Sequence, residues 1–396
     1  MSRTSLRTIL PLSLVTCTSM LAMDLFLPAV PALQVALGVD VTLAQATVAI
    51  FLMGLAGSQL LWGEALSRMG PRRSVQLGVW LLVAGSVGCA VAPSIELLLS
   101  MRLLQGVAAG AAPVVASSVV RATLSDADAV RGMAAISMVE SIVPAAGPVL
   151  GAALLVYSDW RGLFWFLAAI TALVLPFVVR VTPVELPGLD RTVNASYRSI
   201  LSQRKYARVA LSHALAVGAL LTFVGSAPQL MVNGLGLGPS AFALLQVLGV
   251  VAFAGMASQA GRISNAIGSP RAQQVGALLQ VVACCALLLA DVSGALSFVS
   301  VAVFWCLFCG ALAVRGPSAF SEALALPPAQ IGRASAMLVL GILLAGALGT
   351  QVIAPFMGGQ SGAPLAVGML VLGIVSLLLV VPYPQNRLAS LPFTAS

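Results

Sequence analysis

The stretch ILPLSLVTCTSMLAMDLFLPAVP, Ile9 to Pro31, decides the fold class of this chain, because it is a long apolar run with one charged residue, Asp24. A helix that crosses a bilayer needs about 20 mostly apolar residues. Of the 396 residues in the chain, 60% are hydrophobic and 8% are charged. Ordinary soluble domains are about 25% charged, so the predicted solvent of this protein is lipid.

Similar apolar runs recur along the whole chain and predict an all-α polytopic membrane protein with twelve transmembrane helices. Only helices and closed barrels satisfy their own backbone in lipid, and these runs are long, continuous and not alternating. The first run is longer than the hydrophobic part of a typical signal peptide and lacks a clear cleavage site, so it is predicted to remain as a span. The predicted spans are 9–31, 43–63, 74–92, 95–118, 132–156, 160–180, 206–231, 242–261, 272–291, 294–315, 329–354 and 363–382.

The basic residues predict the orientation of the chain. With the amino terminus in the cytoplasm, eighteen of the 20 Lys and Arg residues fall on the cytoplasmic side, and Arg315 is counted among them. Arg161 falls outside and Arg102 falls within a span. Cytoplasmic loops of membrane proteins carry an excess of Lys and Arg, so both termini are predicted to be cytoplasmic.

A polar stretch divides the chain into two halves. The predicted domains are an amino-terminal six-helix bundle at 1–180, a cytoplasmic linker at 181–205 and a carboxy-terminal six-helix bundle at 206–396. A repeated loop supports the two pseudo-symmetric bundles: Gly63, six residues, then Gly70-Pro71-Arg72 in one half, and Gly261, six residues, then Gly268-Ser269-Pro270-Arg271 in the other. Repeated halves are a transporter feature, with substrate bound near the midplane between them. At the end of the linker, Ser196–Arg208 is either a short helix that lies on the inner leaflet or a solvated tether.

Three charged residues stand out because they lie far from the ends of predicted spans, where a charge costs at least about 2.5–3.5 kcal/mol and normally marks function. At 1.5 Å per residue, Asp24 and Arg102 both lie in the outer third of the membrane and could form an ion pair. Burial favours a neutral carboxyl group and a nearby guanidinium favours the anion, so such a site can take up and release a proton. The alternative is a fixed pair that holds two helices together. Glu140 lies near the midplane and either faces a substrate cavity or caps a kink above Pro144.

Several motifs resemble those of one family. AMDLFLPAVP is similar to the first-span signature of the Bcr/CflA-type drug:proton antiporters of the major facilitator superfamily. The others are similar to the fourth-span RxxQG motif, the fifth-span PxxGPxxG motif of antiporters, the WRxxF opening of the sixth span and the seventh-span signature. In this sequence they are Arg102–Gly106, Pro144–Gly151, Trp160–Phe164 and Ser226–Pro228.

The resemblance implies a proton-coupled secondary transporter in a bacterial inner membrane that exports a small, fairly apolar, drug-like compound by alternating access. It implies proton coupling by Asp24 and Arg102, with Glu140 as a candidate for the substrate cavity. Its partners would be a small-molecule substrate, protons and the lipid bilayer, with no nucleic acid, no cofactor and no metal, and we expect a monomer driven by the proton gradient. The fifth-span motif implies a conformational pivot at Pro144, Gly147, Pro148 and Gly151.

The loop between the second and third spans is expected to act as the cytoplasmic gating loop, with Gly63, Arg68, Gly70, Arg72 and Arg73. It departs from the family pattern GxxxDRxGRR because Ser67 occupies the aspartate position. That aspartate normally supports the outward-open state through charge contacts. Glu64 could take its place from the other end of the motif.

Other function classes are less well supported by the sequence. An importer or symporter of a metabolite or siderophore is the main alternative, and the PxxGPxxG motif argues against it. An enzyme is not expected, because one histidine and twelve acidic residues, mostly in loops, offer no reactive cluster. A non-transporting membrane sensor is the remaining alternative.

Overall fold

The computed structural model describes residues 3–185 and 197–381, and these ranges are helical without any β-strand. Fourteen α-helices lie in these ranges, and two of the predicted spans, the first and the fourth, are each made of two shorter helices. They are α1 Arg3–Asp24, α2 Val30–Leu37, α3 Val41–Ala90, α4 Ile95–Ala109, α5 Ala111–Thr123, α6 Asp126–Leu154, α7 Trp160–Val181, α8 Tyr197–Leu201, α9 Arg204–Gln229, α10 Pro239–Ile267, α11 Ser269–Val292, α12 Phe298–Ala323, α13 Pro328–Ile353 and α14 Ala363–Val380.

The helix α3 contains two of the predicted spans. Its 50 residues would extend about 75 Å at 1.5 Å per residue, more than twice the hydrocarbon thickness of a bilayer. Gly70 breaks it with φ 76° and ψ 169°, immediately before Pro71. Eleven helical segments in the described ranges are long and apolar enough to cross a membrane. Because α3 crosses twice, they correspond to the twelve predicted crossings.

The first span is interrupted near Pro28 and Pro31, two residues that do not fit the interior of a regular helix. The α-helix α1 stops at Asp24, a 3₁₀ turn covers Leu27–Ala29, and the short helix α2 follows. Asp40 then begins α3, since its carboxylate accepts a hydrogen bond of 2.8 Å from the backbone N–H of Leu43. This helix cap satisfies a backbone donor that the first turn leaves free.

The helices form two bundles of six crossings each, α1–α7 and α9–α14. The loop repeat noticed in the sequence has a structural counterpart, because Gly268 has φ 85° and ψ 146°, close to the angles of Gly70. The predicted boundary at 181–205 stays a prediction, since residues 186–196, which include Arg191, lie outside the described residues, as does Arg387.

The two bundles meet through α3 against α13 and α6 against α10. We call the end of the bundles that holds Asp40 the Asp40 end, and the opposite end the Gly70 end. Near the Asp40 end α10 buries Phe242, Leu245 and Gly249, whereas none of its residues from 251 to 259 is buried. The contact between the bundles therefore concentrates at the Asp40 end.

The placement of Arg315 corrects the sequence interpretation. The sequence places it on the cytoplasmic side because the predicted span ends at residue 315. The helix α12 instead continues through Pro317 to Ala323, and Arg315 is completely buried inside the second bundle. Membrane helices tolerate an internal proline when neighbouring groups satisfy the freed backbone.

Candidate functional site

Asp24 is the last residue of α1, and its side chain is buried against α6. A β-carbon placed on Gly147 would lie 2.6 Å from Cβ of Asp24. The next glycine of the same motif, Gly151, meets the backbone carbonyl of Leu25 in the same way. The first-span signature and the fifth-span glycines, which are far apart in sequence, are therefore in direct contact.

Arg102 lies on α4 and is completely buried beside the last turn of α1. Its Nη1 donates to the carbonyl oxygen of Ala22 at 2.8 Å and to Oε1 of Gln105 at 2.9 Å. Its Nε donates to the carbonyl oxygen of Thr47 on α3 at 3.1 Å. The guanidinium thus binds three different helices through neutral oxygen atoms.

Aromatic rings complete the surroundings of Arg102. The guanidinium carbon lies 4.4 Å from the ring centroid of Phe51, 4.8 Å from that of Phe26 and 5.8 Å from that of Phe164. A cation over an aromatic face is attracted to the ring, by about 2 kcal/mol or more where water is excluded. This cage holds a positive charge at one place inside the first bundle.

The expected ion pair between Asp24 and Arg102 is absent from the part of the chain that the structure describes. Arg102 instead binds the backbone of Ala22, two residues before Asp24. The hydrogen bonds of Arg102 use Nη1 and Nε and go to neutral backbone and amide oxygens, whereas its buried Nη2 has no hydrogen-bond partner among the described residues. The two charged residues therefore share one region of the first bundle without direct contact.

The glycine of the RxxQG motif explains how Arg102 reaches α3. A β-carbon on Gly106 would collide with the backbone carbonyl of Phe51, and one on Gly54 would lie 2.5 Å from the carbonyl oxygen of Leu103. Because these two glycines lack side chains, α3 and α4 approach closely. The close approach places the Thr47 carbonyl within hydrogen-bonding distance of Arg102.

Glu140 is half-buried on α6 and is not part of the Asp24 region. It lies seven residues before Gly147, about 10 Å along the helix. Proline commonly kinks or breaks a helix, but α6 is continuous from Asp126 to Leu154 and contains both Pro144 and Pro148. The motif thus remains helical at the contact with α1.

The predicted gating loop contacts its own bundle. Arg72 Nε donates to the carbonyl oxygen of Thr182 at 2.8 Å, and a β-carbon on Gly70 would lie 2.5 Å from the carbonyl oxygen of Val184. Glu64 forms an exposed ion pair of 2.6 Å with Arg68 on the same helix, and so does not reach a neighbouring helix through that carboxylate oxygen.

Ser67, which occupies the family's aspartate position, also makes its hydrogen bond within its own helix. The hydroxyl of Ser67 donates to the carbonyl oxygen of Glu64 at 2.8 Å. Neither Ser67 nor Glu64 therefore supplies the charge contact between helices that the aspartate normally makes.

The Asp40 end is closed by a series of neutral amides that sequence reasoning missed. Gln229, fully buried at the end of α9, donates to Oε1 of Gln34 on α2 at 3.1 Å and accepts from Nδ2 of Asn233 at 3.0 Å. Nearby, Gln351 on α13 donates to the carbonyl oxygen of Thr42 on α3 at 3.5 Å. The contacts of Gln229 with Gln34 and of Gln351 with Thr42 join the two bundles, and we call these residues, with Asn233, the amide latch. Uncharged amides give no signal in the sequence that would identify them.

At the Gly70 end, the described polar contacts of the second bundle stay within that bundle. Glu322 on α12 accepts from Lys205 Nζ on α9 at 3.1 Å and from Gln273 Nε2 on α11 at 2.7 Å. The part of α10 from 251 to 259 is likewise not buried. The two bundles are therefore joined at the Asp40 end and separate at the Gly70 end.

Arg315 forms a second buried cationic site, in the second bundle. Its Nη1 donates to Gln280 Oε1 at 3.0 Å and to Ser376 Oγ at 2.9 Å, and its Nη2 donates to Ser212 Oγ at 2.7 Å. The two serine hydroxyls also donate to each other's backbone carbonyl, which leaves their oxygen atoms free to accept from the guanidinium. The network ties α9, α11, α12 and α14 together.

Comparisons with known proteins agree with this architecture. The family model described as "Major Facilitator Superfamily" matches residues 12–350. Proteins called multidrug resistance protein MdtL, from Escherichia coli and Escherichia fergusonii, are 28% identical over 228 residues, which cover 57% of this chain and 58% of each relative. The chain thus matches little more than half the length of these curated relatives.

Solved transporter structures share the fold. A partially occluded inward open conformation of the xylose transporter XylE from E. coli has a TM-score of 0.74 at 15% identity, covering 96% of this chain and 97% of that one. An inward-facing bacterial homologue of the human lysosomal transporter Spinster has a TM-score of 0.75 at 14% identity, covering 96% of this chain and 95% of that one. At these identities the likeness concerns the fold alone.

Proposed function

This chain belongs to the Major Facilitator Superfamily, and from that premise we propose that it exports a small, fairly apolar compound in exchange for protons. The matching relatives are named multidrug resistance proteins, which supports efflux of drug-like compounds. The proposed location is a bacterial inner membrane, with both termini cytoplasmic. The proposed driving force is the proton gradient, so that no cofactor is needed.

One observation carries the proposal: Asp24 is buried at the contact between α1 and α6, and the buried cation Arg102 binds the carbonyl oxygen of Ala22, two residues before it. We propose that Asp24 carries the proton. Arg102 supplies a fixed positive charge that favours the ionised carboxylate, while burial favours the neutral acid. A modest change in the distance between the two would therefore bind or release a proton.

Alternating access would then involve the two ends of the bundles in turn. Under the predicted topology the Asp40 end faces outward, so the amide latch closes the outer side and the structure is inward-facing. In this state a compound would enter from the cytoplasm, where Glu140 is a candidate for the cavity surface. Opening the latch would release the compound outward, and a proton bound there by Asp24 would return to the cytoplasm.

The test is protection of cells against a panel of antimicrobial compounds. Cells that express the wild-type protein are expected to tolerate at least one compound better than cells without it, and Asp24→Asn is expected to remove that protection. Asp40→Asn is the matched control, since it makes the same change from carboxylate to amide at an exposed helix cap where asparagine functions equally well. Equal protection by wild type and Asp24→Asn would reject Asp24 as the proton carrier.

The direction of transport is tested separately. When a compound identified by the panel is added to purified protein in weakly buffered detergent solution, an antiporter releases protons, and a symporter takes them up. Proton uptake, or failure of the wild type to protect against any compound, would favour the importer or symporter alternative. No proton movement and no transport in proteoliposomes would favour a membrane sensor.

A further inference from the structure

We propose that Gly147 is a positioning residue for Asp24, and that its missing side chain forms the seat in which the carboxyl group is held. This inference rests on the proposed function, in which Asp24 carries the proton. The family resemblance gives Gly147 a different role, as part of a pivot in the fifth span. The seat is a distinct role that follows from the contact geometry.

The contact involves both the side chain and the backbone of Asp24. A β-carbon on Gly147 would lie 2.6 Å from Asp24 Cβ, 3.2 Å from its carbonyl carbon and 3.4 Å from Leu21 Cδ2. Carbon atoms in ordinary contact are about 3.5–4.0 Å apart. Any residue larger than glycine at this position must therefore move α1 away from α6 by about 1 Å.

The opposite side of the same turn of α1 is fixed by Arg102, which binds the Ala22 carbonyl at 2.8 Å. The turn of α1 that carries Asp24 thus packs against the backbone of α6 at Gly147, and Arg102 anchors the same turn to α4. Because the Arg102 side chain is fixed by hydrogen bonds to three helices, a shift of α1 against α6 changes the distance from the carboxyl group to the positive charge. The Gly147 contact therefore controls the electrostatic surroundings of Asp24.

The same helix connects this seat to the other bundle, since α6 packs against α10. When the bundles rotate relative to each other, α6 moves against α10 at their interface. The same helix carries Gly147, which packs against Asp24 of α1. The helix that packs against Asp24 is therefore also part of the interface between the bundles.

The experiment measures how the proton occupancy of Asp24 depends on pH, without any need for a transported compound. Dicyclohexylcarbodiimide adds to protonated carboxyl groups in apolar surroundings. The purified protein is treated with this reagent over a range of pH, and labelling of the peptide that contains Asp24 is followed by mass spectrometry. Asp24→Asn gives the unlabelled background. We expect Gly147→Ala to move the labelling midpoint by at least about half a pH unit, or about threefold in proton affinity.

The matched control is Gly255→Ala on α10, where an added β-carbon meets no atom within 4 Å. Its labelling curve should coincide with that of the wild type. A Gly147→Ala curve that also coincides would overturn the proposal, as would a uniform loss of labelling with an unchanged midpoint, since a purely structural role predicts that result.

A second variant covers the case in which Gly147→Ala does not fold. Asp24→Glu lengthens the side chain by one methylene group and moves the carboxyl group out of the seat without crowding α6. It should move the midpoint by a comparable amount, and an unmoved midpoint would refute the seat. Failure of the proposed function is recognised independently, because it appears as drug protection by Asp24→Asn whatever the labelling shows.

Discussion

Alanine substitutions at Gly70 and Gly268 should separate backbone strain from steric collision, because these two glycines occupy equivalent turns in the two bundles. Their φ values of 76° and 85° lie in a region that residues with a β-carbon rarely adopt. Holding alanine there costs about 1–3 kcal/mol at either position. The two sites differ in the space around them.

At Gly70 an added β-carbon would lie 2.5 Å from the carbonyl oxygen of Val184, whereas at Gly268 the nearest atom is Pro270 Cδ at 4.0 Å. An unstrained carbon-to-oxygen contact is about 3.3 Å, so the segment after α7 must retreat by about 0.8 Å in Gly70→Ala. Overpacking of this kind costs about 1–3 kcal/mol. Gly268→Ala is therefore expected to lose about 1–3 kcal/mol and Gly70→Ala about 2–6 kcal/mol.

The assay is unfolding in mixed detergent micelles, with helix content followed by circular dichroism. Gly255→Ala, which adds a β-carbon in open space on a regular helix, should be no less stable than the wild type, because alanine favours a helix over glycine by up to about 1 kcal/mol. The reasoning is refuted if Gly268→Ala is as destabilising as Gly70→Ala, because the contact with Val184 would then carry no energy.

Two further variants test the charged site and the latch. Arg102→Lys should reduce transport at least tenfold, about as much as Arg102→Met, because a single ammonium group cannot reproduce the guanidinium fork. Drug efflux from loaded cells measures the loss of transport. Near-normal efflux by the lysine variant would contradict this prediction. Gln229→Leu should weaken closure of the Asp40 end, which is measured as a longer mean distance between spin labels at the exposed positions Val35 and Leu244 in a cysteine-free background. An unchanged distance distribution would show that the latch does not hold that end together.

The fold could be predicted from the sequence because lipid imposes a simple rule on each segment. Apolar length alone locates the crossings, and the same rule identifies Asp24 and Arg102, since a charge within a span is costly. Even the break between the second and third spans is visible as Gly70-Pro71. These features depend on local composition, which a single sequence contains in full.

The remaining features depend on how helices are rotated and where they touch. Depth along a span places Asp24 and Arg102 at similar heights, but it does not say which way either side chain points, so the ion pair was expected and is absent. The predicted span ends at Arg315, whereas α12 continues past Gly316 and Pro317 to Ala323. The contact between Gly147 and Asp24 joins two motifs more than a hundred residues apart, and no periodicity links them.

The amide latch has a consequence for how the protein meets its surroundings. Gln229, Gln34 and Asn233 neither gain nor lose a proton at any pH in which a cell lives, and hydrogen bonds between neutral groups are little affected by dissolved salt. Under the proposed topology this gate faces a growth medium whose acidity and ionic strength vary widely. The stability of the closed latch would not change with external pH or salt. The response to external acid would then come from the carboxyl group of Asp24.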